Sequence, residues 1–397
     1  MNPCGGLVPP QSHMNTLTDS EECPLPLPAV TSHQPARTYP LGRPATLLGV
    51  MALVGMALPN QASAQGCIAG RASSPMLGAE TSGYLPEGGF EFSLNYRYLK
   101  SFRHFVGTTE QVQRYEEGSQ VINHVHLMDL GLTYGLDEQD SISINIPFLA
   151  AERSQAIRVD GDYIDERNET SARGMGDLRV TYRRWLMETK SHPDTNVQVG
   201  LGIKLPTGSP NEVAVFRVDD GMGGTEPVVR TADQSIQPGD GGFGFLIDVN
   251  AFTTMGAFTP YASGSYLFNP EGTNGVQTFR SRASEAIMSI ADQYSARAGV
   301  NYSFESLPNL TVGLGGRIDG VPVHDLLGDS SGFRRPGYAV AVEPSLAYTS
   351  GRHTFTMSVP WSVQRNPQQS VTDKIDDRHG DAAFADWMLL LGWTVRF

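Results

Sequence analysis

The sequence predicts an all-β protein: a transmembrane, antiparallel, up-and-down β-barrel of about twelve strands with a cleaved N-terminal signal peptide. Three observations carry that prediction. Apolar residues recur with period 2 from Gly88 to the C-terminus, the connections between these runs alternate between short and long, and an export signal precedes them. Successive side chains of a strand point to opposite faces, so each run has one oily and one polar face. Charged residues make up 18% of the 397-residue chain, whereas roughly 25% is usual in soluble domains. With 42 acidic against 29 basic residues and no basic run, nucleic acid is excluded as a default partner. Beyond the N-terminal region no stretch of about 20 apolar residues remains, which excludes a helical bundle.

The export signal comes first. Residues 45–58 are apolar, Arg37 and Arg43 precede them, Pro59 and Asn60 break them, and Ala62-Ser63-Ala64 supplies small residues for cleavage. The chain therefore divides into a leader and signal peptide (1–64), a periplasmic segment (65–87) and a barrel (88–397). Residues 1–36 are Pro-rich and fit no part of a signal peptide; the expectation is a start site placed too far upstream, with a long functional leader as the alternative. Of the three cysteines only Cys67 follows the cleavage site, so there is no internal disulfide framework. Cys67 follows Gly66 as a lipid acceptor would, but the residue three positions before it is Ala64 rather than the usual leucine.

The strands follow in order. The first, 89–103, sets Phe90, Phe92, Leu94, Tyr96 and Tyr98 against Glu91, Ser93, Asn95 and Arg97; the second spans 121–135. The third, 141–150, alternates Ile142, Ile144, Ile146 and Phe148 with serine and asparagine, and the fourth is 177–187. The fifth, 196–206, carries Val197, Val199, Leu201, Ile203 and Leu205, followed by 242–254, 258–268 and 292–304. Then come 309–319, 338–349, 353–364 and 386–397. Long connections are expected at 104–120, 151–176, 207–241, 269–291, 320–337 and 365–385, all at one end, which leaves both termini at the other.

A soluble β-sandwich would also alternate, with its apolar rows turned inward. The chain end argues for the barrel. Trp387, Leu389, Leu391, Trp393, Val395 and Phe397 form a strict apolar row ending on a terminal aromatic. Trp393, Val395 and Phe397 are expected to act as the signal read by the outer-membrane assembly machinery. Tyr134, Tyr182, Tyr302, Tyr348 and Phe397 fall near the short turns, and Tyr98, Phe148, Phe268, Tyr294, Tyr338, Trp361 and Trp387 near the long loops. Two such girdles mark the two lipid–water boundaries.

If the oily parity faces lipid, the other faces the lumen. Its ionisable members include Arg97, Asp129, Arg179, Arg183, Lys204, Asp248, Arg297, Arg317, Asp319 and Glu343, together with Glu91, Asp177 and Arg396. The signs are mixed, so weak charge selectivity is expected. Twelve strands lie between the eight that side chains fill and the 16–18 that leave an open channel. A narrow bore follows, which residues 65–87 or the loop 207–241 could enter. These charges could instead pair and seal the interior, with Glu343 and Asp248 as partners from other strands.

Ser119, His124 and His126 lie near the long-loop rim and raise a lipid hydrolase, but no third, orienting group joins them, and rim histidines are the default. Acidic loops such as 160–166 and 373–381 lack EF-hand spacing. No nucleotide or zinc motif is present. No cofactor, metal or catalytic residue is expected.

Three segments resemble one family: Gly174-Met175-Gly176-Asp177-Leu178-Arg179, Gly202-Ile203-Lys204-Leu205-Pro206-Thr207-Gly208 and Gln237-Pro238-Gly239-Asp240-Gly241. With the aromatic C-terminus they resemble the outer-membrane transporters named after the meta pathway of phenol degradation. The resemblance covers most of 70–397. It implies passive movement of small organic solutes, aromatic or hydrophobic compounds among them, across a bacterial outer membrane. The alternatives are a sealed barrel with a structural or surface-binding role and, further behind, the lipid hydrolase.

Overall fold

The structure, a computed structural model, describes residues 84–397. The signal peptide, its cleavage site, Cys67 and most of the 65–87 segment lie outside the described residues.

Twelve strands form one antiparallel wall. They are β1 (Phe90–Val106), β2 (Ile122–Gly135), β3 (Asp140–Val159), β4 in two segments (Asp162–Met175 and Leu178–Trp185), β5 (Thr195–Leu205) and β6 (Gly244–Thr253). They continue with β7 (Phe258–Phe268), β8 (Gln293–Phe304), β9 (Leu307–Val321), β10 (Gly337–Ser350), β11 in two segments (His353–Ser358 and Trp361–Pro367) and β12 (Ala382–Arg396). Each pairs with its sequence neighbours, and β12 pairs with β1 from Glu91↔Arg396 to Phe105↔Ala382. The backbone of Phe397 completes the seam, donating to Phe90 C=O at 2.9 Å. Closure is what hydrocarbon demands, since an open sheet edge there would leave peptide groups without partners.

The burial pattern is the inverse of a soluble protein. Leu132, Ile144, Leu201, Ile247, Val300, Leu314, Leu346, Met357 and Leu391 are exposed on the outside, whereas Arg317, Lys204, Glu343 and Asp248 are buried inside. No helix of the described residues is long and apolar enough to cross a membrane; the chain crosses with strands.

One expected loop is largely strand. Residues 151–176, read as a connection, continue β3 and β4 as a hairpin that turns on Asp160 and Gly161, both at positive φ (53° and 94°). This part carries polar residues on both faces, so the period-2 signal fades although the pairing does not. Asp-Gly between extended runs was the local mark of the turn. The loop 207–241 is also partly ordered into strand. Val213–Asp219 and Thr225–Thr231 pair as a hairpin, and a single 3-10 turn, Gln234–Ile236, follows.

Candidate functional site

The interior has three levels. At the long-loop end, the segment after the hairpin turns into the barrel. Ala232 and Ile236 are fully buried and pack on Leu99, Val125, Leu127, Leu149, Ala151, Ala172 and Ala385, which are lumen-facing residues of β1–β4 and β12. Strand parity predicts a mostly polar lumen with a few scattered apolar members; this apolar collar instead gathers lumen-facing residues of five strands around the inward segment. Asp233 sits between Arg153 (3.5 Å) and Arg280 (3.1 Å). Burial alone would raise the Asp233 pKa, but the two guanidiniums outweigh it and hold the carboxyl well below the usual carboxylate range.

The three motifs that carry the family resemblance meet where this segment leaves the wall. Asp177, in the break of β4, accepts the backbone N–H groups of Gly208 and Asp240, both at 3.0 Å. The Thr207 hydroxyl donates to Gly176 C=O (3.0 Å) and accepts from Leu178 N–H (2.8 Å). Lys204 reaches the Asp240 carboxylate at 2.5 Å with both groups buried. Gln237 ties the loop to itself through Glu212 and Ala232. Gly176, Gly208 and Gly239, one from each motif, touch backbone to backbone: a Cβ on Gly239 would lie 2.4 Å from Gly208 O, and one on Gly208 2.8 Å from Gly176.

The middle level is a belt of charge. Arg297 and Arg317 lie directly opposite each other on β8 and β9, and so do Arg179 and Lys204 on β4 and β5. Like charges in register repel, so each pair needs carboxylates. Asp319 chelates Arg317 (2.5 Å), and Glu343 of β10 accepts from Arg297 (3.4 Å) and from the Ser358 hydroxyl (2.7 Å). Asp248 of β6 pairs with Arg183 of β4 at 3.0 Å. Asp129 accepts from Asn145 at 2.8 Å. Arg97 lies within the electrostatic reach of Asp129, Arg179, Arg317 and Asp319. Glu343 and Asp248 thus each serve a strand other than their own, while Asp177 serves loop backbone rather than the arginines of its own strand. Six basic groups (Arg97, Arg179, Arg183, Lys204, Arg297, Arg317) face six acidic ones (Asp129, Asp177, Asp240, Asp248, Asp319, Glu343), and the belt is formally neutral.

At the short-turn end a cavity of about 190 Å³ is lined by charged side chains from the belt and by Leu127, Leu267, Leu390, Trp185 and Leu85. Tyr84, the first described residue, packs edge-on against Trp185 with ring centroids 5.0 Å apart, and Asn196 donates to its hydroxyl at 3.0 Å. The chain just before β1 therefore lies in this mouth. A second cavity, of about 630 Å³, opens between the long loops above Ala232–Gln237.

The rim histidines make other bonds than a hydrolase would need. His126 and His124 meet the hydroxyls of Tyr96 (2.7 Å) and Tyr98 (3.0 Å), while the Ser119 hydroxyl donates to Arg114 C=O and Glu117. Among the described residues no group of three His, Cys, Asp or Glu is arranged to hold a metal ion.

No family model matches the chain, and no curated protein matches it. Among solved structures it is similar to an outer membrane channel from Pseudomonas putida F1, at 13% identity and a TM-score of 0.50, over 82% of this chain and 100% of that one. Weaker likenesses are to toluene transporters of P. putida (TM-score 0.39, 9% identity, 79% and 91% covered) and Ralstonia pickettii (0.41, 8%, 81% and 92%). The first likeness, together with the β12–β1 seam, establishes the fold as a closed antiparallel barrel of the outer-membrane kind.

Proposed function

We propose that the protein is an outer-membrane channel through which small organic solutes, hydrophobic or aromatic compounds among them, diffuse passively. The observation that carries this reading is the pair of cavities at opposite ends of the barrel, separated, among the described residues, by side chains and one inward loop segment. The similar P. putida F1 structure is itself described as a channel. The exposed apolar belt sits in outer-membrane lipid, and Trp393, Val395 and Phe397 serve as the signal to the assembly machinery. Arg97, Asp129, Arg179, Arg183, Lys204, Asp248, Arg297, Arg317, Asp319 and Glu343 line the narrow part of the path. Bore width and side-chain polarity select the solute, and no energy source is coupled to its movement.

One observation favours a second reading, a sealed barrel: Arg317, Lys204 and Glu343 are each 2% exposed, so the belt fills its own cross-section. Swelling of proteoliposomes in isotonic solutions of small neutral solutes separates the two. A channel swells them faster than protein-free vesicles, at rates that fall steeply with solute size. A sealed barrel leaves the rates equal.

A further inference from the structure

The cavity between the long loops has a composition of its own. Six arginines and three aspartates line it, with Phe279 and Phe333 on one wall. At its floor two arginines depend on one carboxylate. The Arg153 guanidinium is buried, yet its hydrogen bonds are all long: 3.3 Å to Asn123, 3.3 Å to Gln155 and 3.4 Å to Ser235. Its ion pair with Asp233 is 3.5 Å. Arg280 shares that same carboxylate at 3.1 Å, and its Nε is buried with no hydrogen-bond partner. Good guanidinium–oxygen bonds are about 2.7–2.9 Å, so Arg153 is held without being satisfied. The trio Arg153, Arg280 and Asp233 therefore places a net positive charge, with donor capacity to spare, against a cavity of about 630 Å³. Buried charge of this kind is costly unless a counter-charge completes it.

The wall beside the trio is aromatic. The Arg280 guanidinium lies 3.7 Å from the centre of the Phe333 ring and that of Arg335 4.7 Å from it. Phe279 continues this surface and contacts Phe216 with centroids 5.1 Å apart. A planar cationic group with spare donors beside an aromatic wall matches a ligand that joins a carboxylate to a flat apolar body.

We propose that this cavity is a capture site for small organic carboxylates with an aromatic or apolar body, and that Arg153 and Arg280 receive the carboxylate beside the Phe279–Phe333 wall. The inference rests on the channel reading above and gives its solute a chemical class. Basic side chains in a low-dielectric recess also concentrate anions locally.

Calorimetric titration of the purified full chain in detergent tests it, with sodium benzoate as probe and benzyl alcohol as its neutral counterpart of similar size. Benzoate is expected to bind at least about tenfold more tightly than benzyl alcohol. Arg153→Gln and Arg280→Gln are each expected to remove most of that difference, and Arg153→Lys to keep part of it. Equal affinities for the two probes in the unaltered protein, or binding of neither, overturn the proposal without reliance on any variant. So does undiminished benzoate preference in a folded Arg153→Gln, Arg280→Gln double variant. Because titration needs no transport, its failure beside normal liposome swelling removes the capture site alone, and benzoate preference without swelling removes the channel reading instead.

Discussion

Asp177 shows what single residues do here. Its carboxylate holds two backbone N–H groups of the inward loop, so Asp177→Ala leaves two buried donors without their acceptor, at about 1–3 kcal/mol each. The expected outcome is an intact barrel with a loosened 207–241 loop, read as faster cleavage of that loop in limited proteolysis. Asp233 makes the pH prediction. Its folded pKa is depressed by Arg153 and Arg280, so its stabilisation of the docked segment is fully present above its unfolded value of about 3.9. That stabilisation is lost only as pH falls toward the folded value. Conductance is therefore expected to be the same at about pH 7 and about pH 5 and to rise only in stronger acid, and Asp233→Asn is expected to show the raised conductance already at neutral pH. Strand parity made Arg317, Lys204 and Glu343 legible in the sequence as interior residues. The partnership of Lys204 with Asp240 was not, because it joins a regular strand to an irregular loop 36 residues away, where no period relates the two.

At the scale of elements, strands in the hydrocarbon layer were legible and those beyond it were not. β5 and β12 alternate cleanly because one face meets lipid and the other meets water or charge. The outer halves of β3 and β4 have no lipid on either side; their inner face meets the collar at Ala151 and Ala172 and is otherwise largely polar, so no period sorted their side chains. The inward turn of 232–237 was open to suspicion only from the length of the loop, since Ala232 and Ile236 are two apolar residues in a polar stretch. The three glycines that let the motifs meet give the test at this scale. Gly239→Ala would place a Cβ 2.4 Å from a backbone oxygen, well inside van der Waals contact, and neither backbone can retreat cheaply. We expect the barrel to remain folded, shown by unchanged heat-modifiable migration on gels, while the loop undocks and conductance rises. Gly316→Ala, where a Cβ meets nothing within 4 Å, is expected to change neither.

Across the whole molecule, one sequence satisfies two solvents. The outer rows are apolar because lipid tails surround them, and the closed seam from β12 to β1 leaves no strand edge in hydrocarbon. The inner rows hold charges that neutralise one another, so side chains fill the waist of the barrel, and the proposed passive path runs between them. Single-channel recording in planar bilayers, comparing the native protein with a variant in which 232–237 is replaced by a short Gly/Ser linker, tests this most directly. Small, steady conductance in the native protein and a several-fold larger one in the variant are expected. Electrical silence from both, with the barrel verified as folded and inserted, would contradict a passive path through the interior.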